Sequence, residues 1–204
     1  MNQSLSFSHR YLPGTAPGAP LLLLHGTGGD ENDLIPMGGA LAPGRALLSP
    51  RGQVLENGMP RFFRRLAEGV FDEADVMKRA HDLADFVKAA RAEYGLEAPI
   101  AVGFSNGANI AAAVLLLRPE ALAGAAMIRA MVPLADPPNS DLGGKPVLIL
   151  SGSSDPIMPI ENARRLADML RSAKASVRHE TLPASHGLTQ GDLTVAAKWL
   201  QQEF

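Results

Sequence analysis

The feature that most constrains the fold is the alternation of short apolar runs with longer amphipathic segments along the chain. Apolar runs such as residues 20–24 and 146–150 are too short to cross a bilayer and are typical of buried strands. Residues 72–94 instead carry apolar side chains at helical spacing, and Asp72 is a candidate N-cap for them. Such an alternation indicates βαβ units around a parallel sheet.

This pattern predicts one α/β domain over residues 1–204 with a mostly parallel central sheet. The first strand alternates only weakly and is expected at an antiparallel edge. Predicted strands span residues 5–11, 20–24, 46–49, 99–104, 122–131, 146–150 and 176–182. Predicted helices span residues 72–94, 106–117, 160–173 and 188–202.

Composition excludes several kinds of partner and site. With 204 residues, a net charge of -2 and no basic stripe, the chain is not expected to bind nucleic acid. It has no cysteine, which rules out disulfides, a thiolate nucleophile and a cysteine-bound metal. Residues 1–10 lack the pattern of a signal peptide, and no apolar run is long enough for a membrane span. We therefore expect a cytoplasmic protein, which the lack of cysteine fits.

The motif with the strongest chemical meaning is Gly103-Phe104-Ser105-Asn106-Gly107, a G-x-S-x-G sequence between a predicted strand and a predicted helix. A serine on such a sharp turn projects above the sheet, and the flanking glycines avoid steric clash. The N-terminus of the following helix favours developing negative charge near the serine. A chance match is the alternative, but the strand–turn–helix context favours a nucleophilic serine at position 105.

A nucleophilic serine needs a base and an acid, which in this kind of fold follow it in the order acid, then histidine. Of the two later histidines, His186 lies in a loop before a helix, whereas His179 lies inside a predicted strand. Asp155 follows the strand at residues 146–150 directly, although Asp-Pro is also a frequent turn dipeptide. The sequence therefore predicts Ser105, Asp155 and His186 as a catalytic triad, with Asp136 and Asp141 as weaker alternatives for the acid.

Acyl transfer also needs backbone donors for an oxyanion. The N–H groups of Asn106 and of Thr27 are the candidates, because Thr27 lies in the glycine-rich loop after an early core strand. A phosphate-binding loop is the alternative, but the glycine spacing fits neither common motif. We expect His25 to support this loop by hydrogen bonding.

Residues 53–72 have no clean period but are rich in aromatic residues, so we expect them to form a pocket wall. The candidate substrate-binding residues are Met59, Phe62, Phe63 and Met158, with the protein core as the alternative for each. Phe71 and Ile157 are further candidates for the pocket, but the core is favoured for both. The arginines at positions 61, 64 and 65 are expected either to be solvated or to meet an anionic part of the substrate.

Together these motifs resemble the small carboxylesterase/phospholipase family of α/β-hydrolases, which includes acyl-protein thioesterases. The matching segments are residues 25–29, 50–52, 103–107, 152–156 and 185–187. Residues 57–65, 105–109 and 131–133 resemble the bacterial carboxylesterases associated with hydroquinone or quinone resistance. Two residues depart from the pattern, Asn106 where many relatives have glutamine and Ala130 where proline is expected.

The resemblance implies an α/β-hydrolase fold with helices on both faces of the sheet and a minimal lid. It also implies an esterase for small to medium carboxylic esters that uses no metal and no cofactor. The alternatives are a lysophospholipase, thioesterase or acyltransferase on the same site, and a non-catalytic ligand-binding protein. The apolar stretch at residues 122–132 is either core or the surface of a homodimer.

Overall fold

The computed structural model describes residues 5–204 and contains a seven-stranded central sheet flanked by five helices. The strands are β1 (His9–Leu12), β2 (Leu21–Leu24), β3 (Leu47–Pro50), β4 (Val54–Glu56), β5 (Met59–Arg61), β6 (Arg65–Ala67), β7 (Val70–Phe71), β8 (Ile100–Phe104), β9 (Gly124–Ile128), β10 (Pro146–Gly152) and β11 (Ser176–Leu182). The helices are α1 (Ile35–Leu41), α2 (Glu73–Tyr94), α3 (Asn106–Leu117), α4 (Ile160–Ser172) and α5 (Gln190–Glu203). The central sheet has the order β1-β3-β2-β8-β9-β10-β11.

Strand direction confirms the predicted fold class. The edge strand β1 is antiparallel to β3, and every other neighbouring pair in the central sheet is parallel. The carboxyl ends of the parallel strands therefore meet at one edge, which is where ligands bind in open α/β sheets.

The sheet separates two apolar layers. On β2, Leu22 and Leu24 face the layer that contains α2, α3 and α4, whereas Leu21 and Leu23 face the layer with α1 and α5. This alternation follows from the two-residue period of a strand, and apolar residues at every position mark a strand that is buried on both faces. None of the helices within residues 5–204 is long and apolar enough to cross a membrane.

The local elements differ from the predictions in four places, one of which is β9, which covers only Gly124–Ile128 of the predicted 122–131. The first strand begins at His9, later than expected, and pairs antiparallel with β3 as predicted. The short helix α1 was not predicted, because Pro36 and the Gly38-Gly39 pair give its sequence little helical propensity. Residues 53–72 form the hairpins β4–β5 and β6–β7, each a separate two-stranded sheet.

Of the two alternatives for residues 122–132, core and homodimer surface, the structure shows core. Residues 124–131 are all buried. Their strand β9 lies in the middle of the sheet between β8 and β10. The stretch therefore offers no exposed apolar face to a second copy of the chain.

Candidate active site

Ser105 lies on a strained turn between β8 and α3. Its backbone angles are φ 53° and ψ -114°, a region that L-residues rarely occupy. The turn is held by a 2.9 Å hydrogen bond from the Ser105 N–H to the Ile128 carbonyl. A Cβ on Gly107 would lie 1.9 Å from the Leu24 carbonyl oxygen, and one on Gly103 would lie 2.5 Å from the Gly107 carbonyl oxygen. Only glycine fits at both positions, as the motif predicts.

The side chains of Ser105, His186 and Asp155 form one hydrogen-bonded row. The Ser105 Oγ lies 3.0 Å from Nε2 of His186, and Nδ1 of the same ring lies 2.9 Å from Oδ2 of Asp155. Each residue comes from a loop at the carboxyl end of a strand: Ser105 after β8, Asp155 after β10 and His186 after β11. The structure thus brings together the three residues that the sequence predicts as a triad.

Asp155 is held as a carboxylate by its surroundings. Burial acts to raise the pKa of its carboxyl group, but hydrogen bonds from the Met158 and Ile157 N–H groups, together with His186, outweigh burial and lower that pKa. The two backbone donors both bind Oδ1, at 3.0 and 2.9 Å, which leaves Oδ2 for the histidine. An ionised Asp155 accepts a hydrogen bond from Nδ1–H of His186. In this tautomer Nε2 carries no proton, so it is free to accept the proton of the serine hydroxyl.

Two backbone N–H groups lie beside the serine without acceptors. Asn106 is the first residue of α3, and Thr27 lies in the turn after β2. Both residues line the same pocket as Ser105, and neither N–H has an acceptor within residues 5–204. Free donors at a helix N-terminus and in a glycine-rich turn can stabilise a negatively charged oxygen.

The Thr27 turn is held in place from two sides. The Arg61 Nη1 donates to Oγ1 of Thr27 at 2.6 Å, and the Gly28 N–H donates to the Pro60 carbonyl at 3.0 Å. His25 supports the base of the turn, because Nδ1 lies 2.7 Å from the Gly26 carbonyl while Nε2 accepts the Gly52 N–H at 2.9 Å. This places His25 in the structural role that the sequence predicts.

Two asparagine side chains in the first turn of α3 hold the loops around the serine. Oδ1 of Asn106 accepts the Phe62 N–H at 2.7 Å, which ties the segment after β5 to the nucleophile turn. Oδ1 of Asn109 accepts the Met131 N–H at the same distance and fixes the loop that follows β9. These two contacts were not predicted, since only the backbone of Asn106 figured in the sequence argument.

A pocket of about 380 Å³ opens above Ser105. This volume lies near the lower end of the range for small-molecule sites, roughly 300–1,000 Å³. One wall comes from the excursion at residues 53–72, as predicted. The pocket is lined by Thr27, Arg61, Arg65, Glu68, Gly69, Phe71, Phe104, Ser105, Asn106, Asn109, Met131, Ile157, Met158 and His186.

Only one of the four predicted substrate-binding residues lines the pocket. Met158 lines the pocket, but Phe62 and Phe63 are buried in the core cluster with α2 and α3, so their assignment to the pocket is corrected. These two aromatic side chains anchor the segment to the core. Met59 is 41% exposed and packs beside Gly28, outside the pocket lining.

Phe71 and Ile157, for which the sequence favoured the core, both line the pocket. Phe104 and Met131 are further apolar lining residues that the sequence analysis missed. Phe104 belongs to the elbow motif itself, and its ring lies 5.5 Å from the His186 ring. Phe104 directly precedes Ser105 in the sequence, and this position could have identified it as a pocket residue.

The alternative triad members lie away from the serine. His179 lies on β11 with Nε2 2.9 Å from Oγ of Ser151, and its pKa is lowered by burial and by nearby arginines. Asp136 is exposed, and Asp141 pairs with Lys174 at 2.5 Å on the surface. None of these three side chains lines the pocket.

The mostly parallel sheet and the strained serine turn at its carboxyl edge define an α/β-hydrolase. Residues 13–203 match the model of the phospholipase/carboxylesterase family of this fold. The chain therefore belongs to that family, which confirms the resemblance inferred from its motifs.

Individual relatives agree with this assignment. MhqD of Bacillus subtilis strain 168, which is named as a hydrolase, is 43% identical over 95% of this chain and 98% of its own length. The crystal structure of the Bacillus cereus carboxylesterase has a TM-score of 0.95 and 42% identity over 98% of this chain and 96% of that one. A carboxylesterase from Mesorhizobium loti has a TM-score of 0.92 and 29% identity, with coverages of 97% and 96%. The protein is thus a hydrolase of the carboxylesterase class.

Proposed function

We propose that the protein hydrolyses small to medium carboxylic esters through an acyl-enzyme on Ser105. The observation that carries this proposal is the unbroken row from Ser105 Oγ through His186 to Asp155 at the floor of the pocket. A serine hydroxyl is a weak nucleophile on its own, and such a row supplies the base that it needs.

In the first step, Ser105 attacks the ester carbonyl while Nε2 of His186 takes its proton. Asp155 holds the imidazole in the required tautomer and stabilises the imidazolium. The N–H groups of Thr27 and Asn106 receive the oxyanion of the tetrahedral intermediate. His186 then gives its proton to the leaving alcohol.

In the second step, water attacks the acyl-enzyme, and His186 acts again as base. The carboxylic acid leaves and Ser105 regains its proton. Apart from the substrate and one water molecule, each step uses side chains and backbone groups of this chain, as the family resemblance implies. We place the reaction in the cytoplasm, which the lack of cysteine fits.

The size and lining of the pocket favour short acyl groups over long ones. Phe71, Phe104, Met131, Ile157 and Met158 give it an apolar interior, but its volume of about 380 Å³ is modest. We therefore expect p-nitrophenyl acetate and butyrate to be better substrates than long-chain esters. Comparison with acyl-thioesters and lysophospholipids of matched chain length tests the alternative activities of this family.

The test of the proposal is labelling with a fluorophosphonate probe, followed by mapping of the adduct and assay of p-nitrophenyl ester hydrolysis. We expect the adduct on Ser105, and a loss of at least about 10³-fold in kcat for Ser105→Ala and His186→Gln. His179→Gln and Ser154→Ala are matched controls that should keep near-normal activity. Ester hydrolysis that survives in Ser105→Ala would contradict the proposal, and binding without turnover in the wild type would favour a ligand-binding protein.

A further inference from the structure

Arg129 is a fully buried charge beside the candidate active site that the proposed mechanism does not use. It follows β9 directly and has 0% exposure. Its φ of 60° places it in the left-handed region, which costs a non-glycine residue backbone strain. Burial of a charge and strain at the same residue call for a compensating role in the structure around it.

The guanidinium of Arg129 holds the loop that carries His186. Its Nε donates to the Ser185 carbonyl at 2.9 Å, and Nη2 reaches the Gly187 carbonyl at 3.2 Å. These two carbonyls belong to the residues on either side of His186. A single planar group therefore fixes the backbone of the histidine from both directions, which a lysine ammonium could not do with the same geometry.

Asp192 is the counter-charge that holds Arg129 in this position. Its two carboxylate oxygens accept from Nη1 and Nη2 of Arg129, both at 2.9 Å, in a bidentate pair. Asp192 also completes the capping box of α5 with Thr189. The pair thus connects the histidine loop to the first turn of a helix that packs in the apolar layer of α1 and α5.

The same guanidinium acts on the acid of the row. Its Nε lies 4.0 Å from Oδ2 of Asp155, the oxygen that faces the His186 ring. All of the Arg129 and Asp155 side-chain surface is buried, so solvent screens this interaction little. A positive charge at this distance destabilises the positively charged imidazolium that His186 forms during catalysis. The negative charge of Asp192 cancels part of this electrostatic repulsion.

We propose that Arg129 and Asp192 form a positioning unit that fixes the His186 loop and balances the charge around the His186–Asp155 pair. This inference rests on the proposed function of Ser105, Asp155 and His186. Neither Arg129 nor Asp192 lines the substrate pocket. Both are therefore expected to affect kcat and its pH dependence much more than KM.

The proposal predicts opposite pH effects for its two members. Removal of the positive charge in Arg129→Gln favours the imidazolium and moves the acidic limb of the kcat/KM profile to higher pH. Removal of the negative charge in Asp192→Asn leaves Arg129 unbalanced and moves the limb to lower pH. We expect shifts of about half a unit to one unit. The other charged groups around the pocket are Arg61, Arg65 and Glu68, which all variants retain.

A third variant separates charge from geometry. Arg129→Lys keeps the charge beside Asp155 but cannot hold both flanking carbonyls and the carboxylate at once. We expect its acidic limb to stay within about 0.2 units of the wild type. Its kcat for p-nitrophenyl butyrate should fall by on the order of 10²-fold, with KM within about twofold.

Thr189→Ala is the structural control, because it breaks the α5 capping box and removes one neutral donor to Asp192 while both charges and their pairing stay. It should lower the melting temperature and leave the pH profile unchanged. Every profile is measured on protein whose folding is verified by circular dichroism. If Arg129→Gln does not fold, the downward shift in Asp192→Asn and the kcat loss in Arg129→Lys decide the question.

Superimposable pH profiles for wild type, Arg129→Gln and Asp192→Asn, with equal kcat for each, would overturn the inference. Opposite limb shifts with unchanged KM would support it. Activity that depends on Ser105 but shows no shift in either variant contradicts this inference alone. Activity that survives in Ser105→Ala contradicts the proposed function instead.

Discussion

Ser105 combines a half-buried position in the pocket with a backbone conformation that costs folding energy. Its angles are φ 53° and ψ -114°, and two residues later Gly107 packs too close to the Leu24 carbonyl to admit a Cβ. Strain of this kind, about 1–3 kcal/mol for a residue, is common at active sites. Replacement of the serine therefore changes stability according to which backbone angles the new residue tolerates.

We predict that Ser105→Gly is more stable than Ser105→Ala by about 1 kcal/mol, because glycine relieves the strain that alanine keeps. The free energy of urea unfolding for the two variants measures this difference. At Ser172, an exposed residue in the last turn of α4, the order should reverse, since alanine is the better helix former. The same order at both sites would show that the serine turn stores little strain.

His25 is the residue whose protonation state matters most for the loop beside the serine. Burial lowers its pKa, and neutral Nε2 is the acceptor for the Gly52 N–H. The folded state thus resists protonation that the unfolded chain accepts near pH 6.5. The stability that this histidine contributes is fully present above that pH, and it is lost as the pH falls below it toward the lowered folded-state pKa.

We therefore predict that the free energy of unfolding falls between about pH 8 and about pH 5.5, and that His25→Gln reduces this fall. His179, whose pKa is also lowered, contributes in the same direction, so part of the dependence should persist. His81→Gln, at an exposed site on α2, is the control and should keep the full wild-type dependence. An unchanged pH dependence in His25→Gln would contradict this assignment.

The sequence predicted the residues whose signals are local. Ser105 is set by the glycines around it, and His186 and Asp155 each follow a recognisable strand. Arg129 was missed because its partner Asp192 lies 63 residues further along the chain. Nothing within a few residues of either position distinguishes this buried pair from ordinary surface charges.

At the scale of elements, regular helices and strands followed from periodicity, whereas the hairpins over the pocket did not. The helix α3 and the strand β11 have the predicted bounds, 106–117 and 176–182. The turn between β4 and β5 contains Asn57 and Gly58, both with positive φ, a pair that favours tight hairpins. That signal was available, but strands of two or three residues are too short to show an alternating pattern.

These hairpins carry two arginines that share one carboxylate. Glu56 lies 2.9 Å from the Arg65 Nε through one oxygen and 3.1 Å from the Arg61 Nε through the other. Glu68, the other acid that lines the pocket, is exposed and pairs with neither arginine within residues 5–204, so the two arginines have one carboxylate partner between them. Both arginines line the pocket, whereas Arg64 is 62% exposed and pairs with Asp72 outside it.

We expect this wall to favour esters that carry a carboxylate on the acyl chain. Arg65→Gln should raise KM for mono-p-nitrophenyl glutarate by about tenfold, the effect of losing roughly 1.4 kcal/mol, and change KM for p-nitrophenyl butyrate little. Arg64→Gln is the matched control and should leave both values unchanged. Equal effects of Arg65→Gln on the charged and the neutral ester would rule out charge recognition by this wall.

At the scale of the whole molecule, both helical layers depend on the same sheet. Strand side chains alternate between the layers, so the same sheet contributes to the apolar core on each of its faces. Trp199, the only tryptophan, is 1% exposed in the layer of α1 and α5. Its fluorescence therefore reports on the side of the sheet opposite the long helix α2.

We predict that unfolding followed by Trp199 fluorescence coincides with unfolding followed by far-UV circular dichroism, because the shared sheet makes the layers cooperative. Urea titrations of one sample with both probes measure the two midpoints. Trp199→Phe identifies the part of the fluorescence signal that comes from this residue. An earlier fluorescence midpoint would mean that the α1–α5 layer separates before the rest.

The excursion at residues 53–72 supplies one wall of the pocket but none of the groups assigned to bond cleavage. It is anchored to the core by Phe62 and Phe63 and to the serine turn by a single side chain, that of Asn106. Part of the pocket wall is thus carried by one continuous segment, which also holds the Thr27 turn through Arg61 and the Pro60 carbonyl. A grafted replacement of similar length that keeps residues 60–63 would change this wall and the esters it accepts while the reactive centre stays intact.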